Sequence, residues 1–112
     1  RRINMSFDLG GMMEKIRNMQ TEMEETKRRL KEIKVSAESG GGMVKVTMSC
    51  DTRVKSIDID DAILKSEDMT MITDLIVAAT NKAIEEVEKT VEQEMGKLKD
   101  GIPNIPGLNL GL

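Results

Sequence analysis

The chemically most versatile side chains in this sequence are three closely spaced aspartates and a single cysteine. Asp58, Asp60 and Asp61 could hold a hard cation through their carboxylate oxygens. Asp60 and Asp61 stand where a carboxylate would cap a short helix, so a structural role is favoured. Cys50 has no partner base, and the chain has no histidine, the commonest general base and metal ligand. We therefore expect no enzyme activity, no metal, no cofactor and no small-molecule substrate.

Positive charge is concentrated near the start of the chain, although the net charge of the whole chain is −3. The densest group is Lys27, Arg28, Arg29, Lys31 and Lys34. Lysine and arginine bind phosphates with an affinity that falls as salt rises. Stacking of bases on aromatic side chains is nearly excluded, because the chain has one aromatic residue. Nearby glutamates offset these cations, so charge alone favours a solvated helix surface over phosphate contact.

Two long helices separated by a small antiparallel sheet must carry these residues. Apolar residues recur at steps of three and four up to Ile33 and alternate afterwards, with Gly40, Gly41 and Gly42 between two strand patterns. This glycine run lacks the spacing of a phosphate-binding loop, so a turn is favoured. Val54 is out of phase with the alternation that follows it, which predicts a bulge. The predicted elements are a helix over 9–33, strands over 35–38, 43–50 and 54–59, a short helical turn over 62–64 and a helix over 68–98.

The two long helices have different apolar patterns. The first has a seven-residue apolar repeat, which is typical of a seam between helices. The last is broadly apolar at first and then has a single narrow stripe from Ile84 to Leu98. We therefore expect its first half to pack on the sheet and its second half to project and pair with another helix.

The chain has the length of one small domain. We expect residues 9–100 to form it, between a flexible N-terminus over 1–8 and a flexible, glycine- and proline-rich tail over 101–112. Large core side chains are few, and a second copy would cover the apolar faces of the helices and the sheet, so a homodimer is expected. A single cysteine predicts a reducing, cytoplasmic setting, and the lack of a long apolar run predicts no membrane contact.

Four short motifs occur in one order along most of the chain. They are Gly11-Met12-Met13-Glu14-Lys15 followed by Met19-Gln20, then Ser39-Gly40-Gly41-Gly42-Met43-Val44-Lys45-Val46, then Val54-Lys55-Ser56-Ile57-Asp58-Ile59-Asp60, and then Asp74-Leu75-Ile76-Val77-Ala78-Ala79-Thr80-Asn81-Lys82-Ala83. Together they resemble the bacterial YbaB/EbfC family of nucleoid-associated proteins. The similarity extends from about Leu9 to Met95, and Ile105-Pro106-Gly107-Leu108 resembles the ending common in that family.

The resemblance implies an α+β fold in which a helix, three antiparallel strands and a long C-terminal helix assemble as a homodimer with projecting helices. It also implies a cytoplasmic, nucleoid-associated protein that binds double-stranded DNA without catalysis and helps to organise the chromosome or regulate expression. By position, it makes Lys15, Arg17 and Lys82 candidate DNA contacts. The charge distribution alone adds Lys27, Arg28, Arg29, Lys31 and Lys34.

A second function stays open at this point. Ten methionines make a soft and adaptable apolar surface, which would suit a coiled-coil protein-interaction or chaperone-like scaffold. The two functions differ in their response to salt, since phosphate binding weakens steeply as salt rises and apolar binding does not.

Overall fold

The computed structural model describes residues 9–100, with the side chains of residues 9–98. Its elements, in chain order, are α1 (Leu9–Glu32), β1 (Lys34–Ser39), β2 (Val44–Ser49), β3 (Arg53–Ile59), α2 (Asp61–Ser66) and α3 (Met69–Asp100). This is the α+β order that the sequence predicts. The segments 1–8 and 101–112, which are predicted to be flexible, lie outside the described residues. Within the described range, no helix is both long enough and apolar enough to span a membrane.

The three strands form one antiparallel sheet in the order β1-β2-β3. The turn between β1 and β2 is made by Gly40, Gly41 and Gly42, whose φ angles are 62°, 68° and 94°. Residues with a side chain are strained in this left-handed region, which explains the glycines. The Ser39 hydroxyl donates to the Leu75 carbonyl oxygen over 2.6 Å and ties this end of the sheet to α3. The predicted glycine turn is confirmed.

A bulge in β3 determines the face of the sheet on which Val54 lies. Thr47 and Met48 are neighbours on β2, whereas their partners on β3 are Ser56 and Val54, so Lys55 is an extra residue. The extra residue places Val54 on the same face of the sheet as Met48. This face packs against the helices. The predicted bulge is confirmed.

Aspartate side chains cap both later helices. Asp60 accepts a hydrogen bond from the Ala62 amide over 2.8 Å, and Asp68 accepts one from the Met71 amide over 3.0 Å. Such bonds satisfy amides that the first turn of a helix leaves unpaired. The structural role predicted for Asp60 is therefore confirmed. Among residues 9–98, no group of acidic, histidine or cysteine side chains is arranged to hold a metal ion.

The main core lies between α3 and the first two strands. Val44 and Val46 of β2 are completely buried, as are Ala79 and Ala83 of α3. Small side chains on the helix let it approach the sheet closely, so that the valines are fully enclosed. The first half of the last helix packs on the sheet, as its broad apolar pattern predicts.

Beyond the sheet, α3 continues alongside α1 in the antiparallel direction. Arg29 of α1 lies near Glu94 of α3, and Leu98 of α3 shares a groove with Glu22 of α1. Leu30 of α1 is 6% exposed and belongs to the core cluster with residues of β2 and α3. The second half of the last helix therefore pairs with a helix of its own chain.

The C-terminal end of α1 is hydrogen-bonded to Cys50, the residue that follows β2. The Cys50 amide donates to the carbonyl oxygens of Leu30 and Ile33, over 3.0 Å and 2.9 Å. Carbonyls in the last turn of a helix have no partner within the helix, so these bonds join the end of α1 to the end of β2. This junction positions the charged residues of α1 beside the sheet.

Candidate nucleic-acid interface

The eight cations predicted from the sequence are divided among α1, β1 and α3. On α1, Arg17 and Arg28 are eleven residues apart and so lie on the same side of the helix. Arg28 is about 160° around the helix from the buried Leu30, since each residue advances by about 100°. Lys27 and Lys31 flank Arg28 and are also exposed. These four side chains are available on the surface of α1.

Arg29 has a different environment from its neighbours. It donates to the Thr26 hydroxyl over 3.1 Å, and its Nε atom lies 3.8 Å from a carboxylate oxygen of Glu94. Lys97 donates to the other Glu94 oxygen over 2.7 Å. That hydrogen bond, aided by the charges of Lys97 and Arg29 and opposed by partial burial, lowers the pKa of Glu94. Arg29 thus belongs to the seam between the helices, although it remains partly exposed.

A second group of cations lies on the sheet face opposite α3. Ser49 pairs with Lys34 on one side and with Arg53 on the other, so the three residues form a row across the strands. Lys34 and Arg53 are exposed and about 10 Å apart, twice the usual strand spacing. Because Ser49 precedes Cys50, this row lies beside the last turn of α1.

The cations near the junction of α1 with the sheet are the group that we name the basic end. It consists of Lys27, Arg28, Lys31, Lys34 and Arg53. Sequence reasoning missed Arg53, whose position depends on the pairing of β2 with β3. The available signal was the tight turn at residues 51–52, which places Arg53 opposite Ser49.

The basic end also contains a carboxylate. The Ser49 hydroxyl donates to Asp51, and this bond lowers the pKa of Asp51. Lys55 and Arg53 lower that pKa further, while burial opposes the change. Asp51 is therefore ionised at neutral pH and locally reduces the positive potential of the turn, so the stronger potential lies towards Lys31 and Arg28.

Lys15 and Lys82 lie away from the basic end. Lys15 is exposed in the N-terminal half of α1. It is eleven residues before Thr26, so it lies within about 20° of the side of the helix that faces α3 near Thr26. Lys82 is on α3 beside β1, and its Nζ atom donates to the Glu38 carbonyl oxygen over 3.4 Å. The structure therefore brings together only part of the predicted set.

The groups at the basic end suit binding better than catalysis. Cys50, the nucleophile next to it, is 3% exposed, and burial raises its pKa despite an opposing hydrogen bond with Thr90. A thiol with a raised pKa is protonated at neutral pH and reacts poorly. Exposed lysines and arginines can instead donate charge-assisted hydrogen bonds to phosphate oxygens.

Comparisons with known proteins agree on one family. The model of the YbaB/EbfC DNA-binding family matches residues 5–102. The chain is 41% identical over 106 residues to nucleoid-associated protein BAV0915 of Bordetella avium strain 197N, covering 95% of this chain and 97% of that protein. It is 42% identical over 101 residues to a nucleoid-associated protein of Alkaliphilus metalliredigens strain QYMF, covering 90% of this chain and 88% of that protein.

One solved structure shows the same fold. The crystal structure of the uncharacterised protein HP0035 from Helicobacter pylori matches with a TM-score of 0.72, covering 84% of this chain and 99% of that chain. The two sequences are 22% identical, so this likeness concerns the fold alone.

Proposed function

We propose, since this chain belongs to the YbaB/EbfC DNA-binding family, that it binds duplex DNA through contacts between its basic end and the phosphates. The family match confirms the resemblance seen in the sequence, and this is a family of DNA-binding proteins rather than of enzymes. The observation that carries the proposal is the basic end itself, where α1 and the sheet bring cations together.

Phosphate contact follows from the exposure and chemistry of these side chains. Arg28 and Lys31 are exposed on α1, and such groups bind the backbone of either strand without reading its sequence. Arg17 lies about 16 Å from Arg28 along the same side of the helix. A duplex lying along α1 would meet both positions. This mode of binding needs no aromatic platform, in agreement with the composition.

The proposal includes a homodimer joined along β3. This strand is at the edge of the sheet, and its residues from Arg53 to Asp58 are all exposed. Val54 and Ile57 are 47% and 42% exposed on the face where α3 packs, because α3 mainly covers β1 and β2. An apolar column beside an unpaired strand edge is a surface that a second copy could cover.

A two-fold dimer would carry two basic ends. One duplex could then be held at two places and bent, or two duplexes could be bridged. Acting at the nucleoid in the cytoplasm and without catalysis, such a protein would help to organise the chromosome or alter expression. The names of the two relatives, both nucleoid-associated proteins, support this role.

The test is fluorescence anisotropy of labelled duplex DNA at several salt concentrations. The double variant Arg28→Glu and Lys31→Glu should bind at least about tenfold more weakly, because two phosphate contacts become repulsive. The slope of log affinity against log salt should shrink by about 2. The matched control, Lys65→Glu with Lys89→Glu, makes the same change in net charge outside the basic end and should weaken binding much less.

Two results would contradict this assignment. Equal losses in the two double variants would mean that overall charge, and not the basic end, governs binding. No binding by the unaltered protein at low salt would reject DNA as the partner. In that case the exposed Met12 and Met13, at 55% and 52%, favour the protein-interaction scaffold, whose apolar binding should not weaken with salt.

The dimer has its own test in the molar mass measured by sedimentation. Ile57→Lys should convert a dimer into a monomer, since a charge would be buried in the seam without a partner. Met13→Lys places the same charge on α1 and should leave the dimer intact. A monomer produced by the α1 variant alone would move the seam from β3 to α1.

A further inference from the structure

The N-terminal half of α1 has an apolar side that the rest of the described chain leaves open. Leu9 is 64% exposed, Met12 55% and Ile16 47%, and Met19 is half-buried. Steps of three and four residues place all four on one side of the helix. We name these four residues the α1 stripe. Contiguous exposed apolar surface of this kind usually has an occupant.

The α1 stripe begins where α3 stops covering α1. The two helices are antiparallel, and Leu98 lies beside Glu22 and Glu25 in the groove between them. Because α3 ends at Asp100, its last residue is level with about residue 21 of α1. The chain that follows Asp100 therefore starts at one end of the stripe, and the direction of α3 leads along it.

The sequence that follows has an apolar repeat of three residues. Ile102, Ile105 and Leu108 are three apart, and Pro103 and Pro106 follow the first two. Proline and the residue before it both favour extended backbone of the polyproline II type, which has three residues per turn. In that conformation the three apolar side chains share one side.

We propose that residues 102–108 of this chain dock on the α1 stripe, antiparallel to α1. The spacings agree, since three residues of polyproline II rise by about 9 Å and the seven steps from Met12 to Met19 rise by about 10 Å. Counting from the end of α3 sets Ile102 against Met19 and Ile105 against Met12. The chain's own segment is favoured over a second copy, because Asp100 already holds it beside the stripe at high effective concentration.

The docked segment would cover one side of α1 and leave another open. Arg17 lies about 100° around the helix from Ile16, so it would remain available to a partner. Docking of residues 102–108 on the α1 stripe is therefore compatible with DNA binding and does not depend on it. A test without DNA keeps the two separate.

Disulfide trapping tests the register of docking. In a Cys50→Ala background, Met12→Cys is combined with Ile105→Cys, and the control combines Glu14→Cys with Ile105→Cys. Glu14 is about 160° around α1 from Met12 at nearly the same height. Under the same mild oxidation, the Met12 pair should close within one chain at least about tenfold faster than the control. Equal rates, or a product with the mass of two chains, would overturn the proposal.

Hydrogen exchange provides a second measurement with the native cysteine in place. The combined changes Ile102→Ser, Ile105→Ser and Leu108→Ser keep the length of the chain and remove its apolar side. Amides in residues 9–19 should then exchange at least about threefold faster, because an uncovered helix end opens more often. Residues 22–32, which α3 covers, serve as the internal control. Unchanged exchange in residues 9–19 would overturn the proposal.

Discussion

Leu30 and Ile16 lie on the same side of α1, yet Leu30 is 6% exposed and Ile16 is 47% exposed. They are fourteen residues apart, or close to four helical turns, so the apolar repeat treats them alike. Leu30 belongs to the core cluster that residues of β2 and α3 help to form, whereas α3 ends before it reaches Ile16. An apolar repeat therefore specifies which side of a helix will be covered. The length and direction of the neighbouring element decide how much of that side is covered.

The largest expected effect is on the stability of the two halves of α1. Leu30→Ala should lower the free energy of unfolding by about 3 kcal/mol, because it removes buried methyl groups and leaves a cavity. Met13→Ala should lower it by less than about 1 kcal/mol, since that side chain is 52% exposed and lies outside the α1 stripe. Urea unfolding followed by far-ultraviolet circular dichroism measures both. Equal losses would show that both halves are buried to the same extent in solution.

A smaller effect is expected from a hydrogen bond inside the covered half. The Thr26 hydroxyl donates to the Glu22 carbonyl oxygen over 2.8 Å and accepts from Arg29, and Thr26 is 2% exposed. Thr26→Val keeps the shape of the side chain and removes both bonds, which should cost about 1 kcal/mol of unfolding free energy. Thr21→Val is the matched control on the exposed side of the helix and should change stability by less than about 0.5 kcal/mol. A neutral Thr26→Val would mean that packing alone holds the seam.

The smallest expected effect is a dependence of the seam on pH. The pKa of Glu94 is lowered in the folded protein, so its carboxylate stabilises the fold above the ordinary glutamate pKa of about 4.3. That contribution is lost as the pH falls from there through the lower folded value. The difference in unfolding free energy between the unaltered protein and Glu94→Gln should therefore shrink on acidification. Glu92→Gln, an exposed change on the same helix, is the control, and a difference that does not vary with pH would contradict the role of Glu94.

Much of the fold could be predicted because its signals are local. The glycine turn, the Asp60 cap and the bulge near Val54 each depend on a few consecutive residues. The same holds for the change from a helical to an alternating repeat near residue 33. Such features follow from backbone sterics and unpaired amides, which the sequence reveals directly.

The candidate site could be predicted only in part, because it depends on contacts between distant residues. Arg28 and Arg29 are neighbours with the same charge, and only the position of Glu94 shows that Arg29 belongs to the seam. Arg53 joins the basic end through the pairing of β3 with Ser49. Which residues of two helices face each other, and which residues of two strands pair, depends on tertiary packing. Charge patterns along the chain do not contain this information.

The burial of Cys50 has a practical consequence. Thiol reagents attack an accessible thiolate, and this thiol is 3% exposed with a raised pKa. Labelling therefore requires the junction between α1 and β2 to open first. Because Cys50 is the one cysteine in the sequence, the labelling rate of the unaltered protein reports how often that junction opens, and repeating the measurement with DNA present would show whether a ligand on the basic end holds it closed.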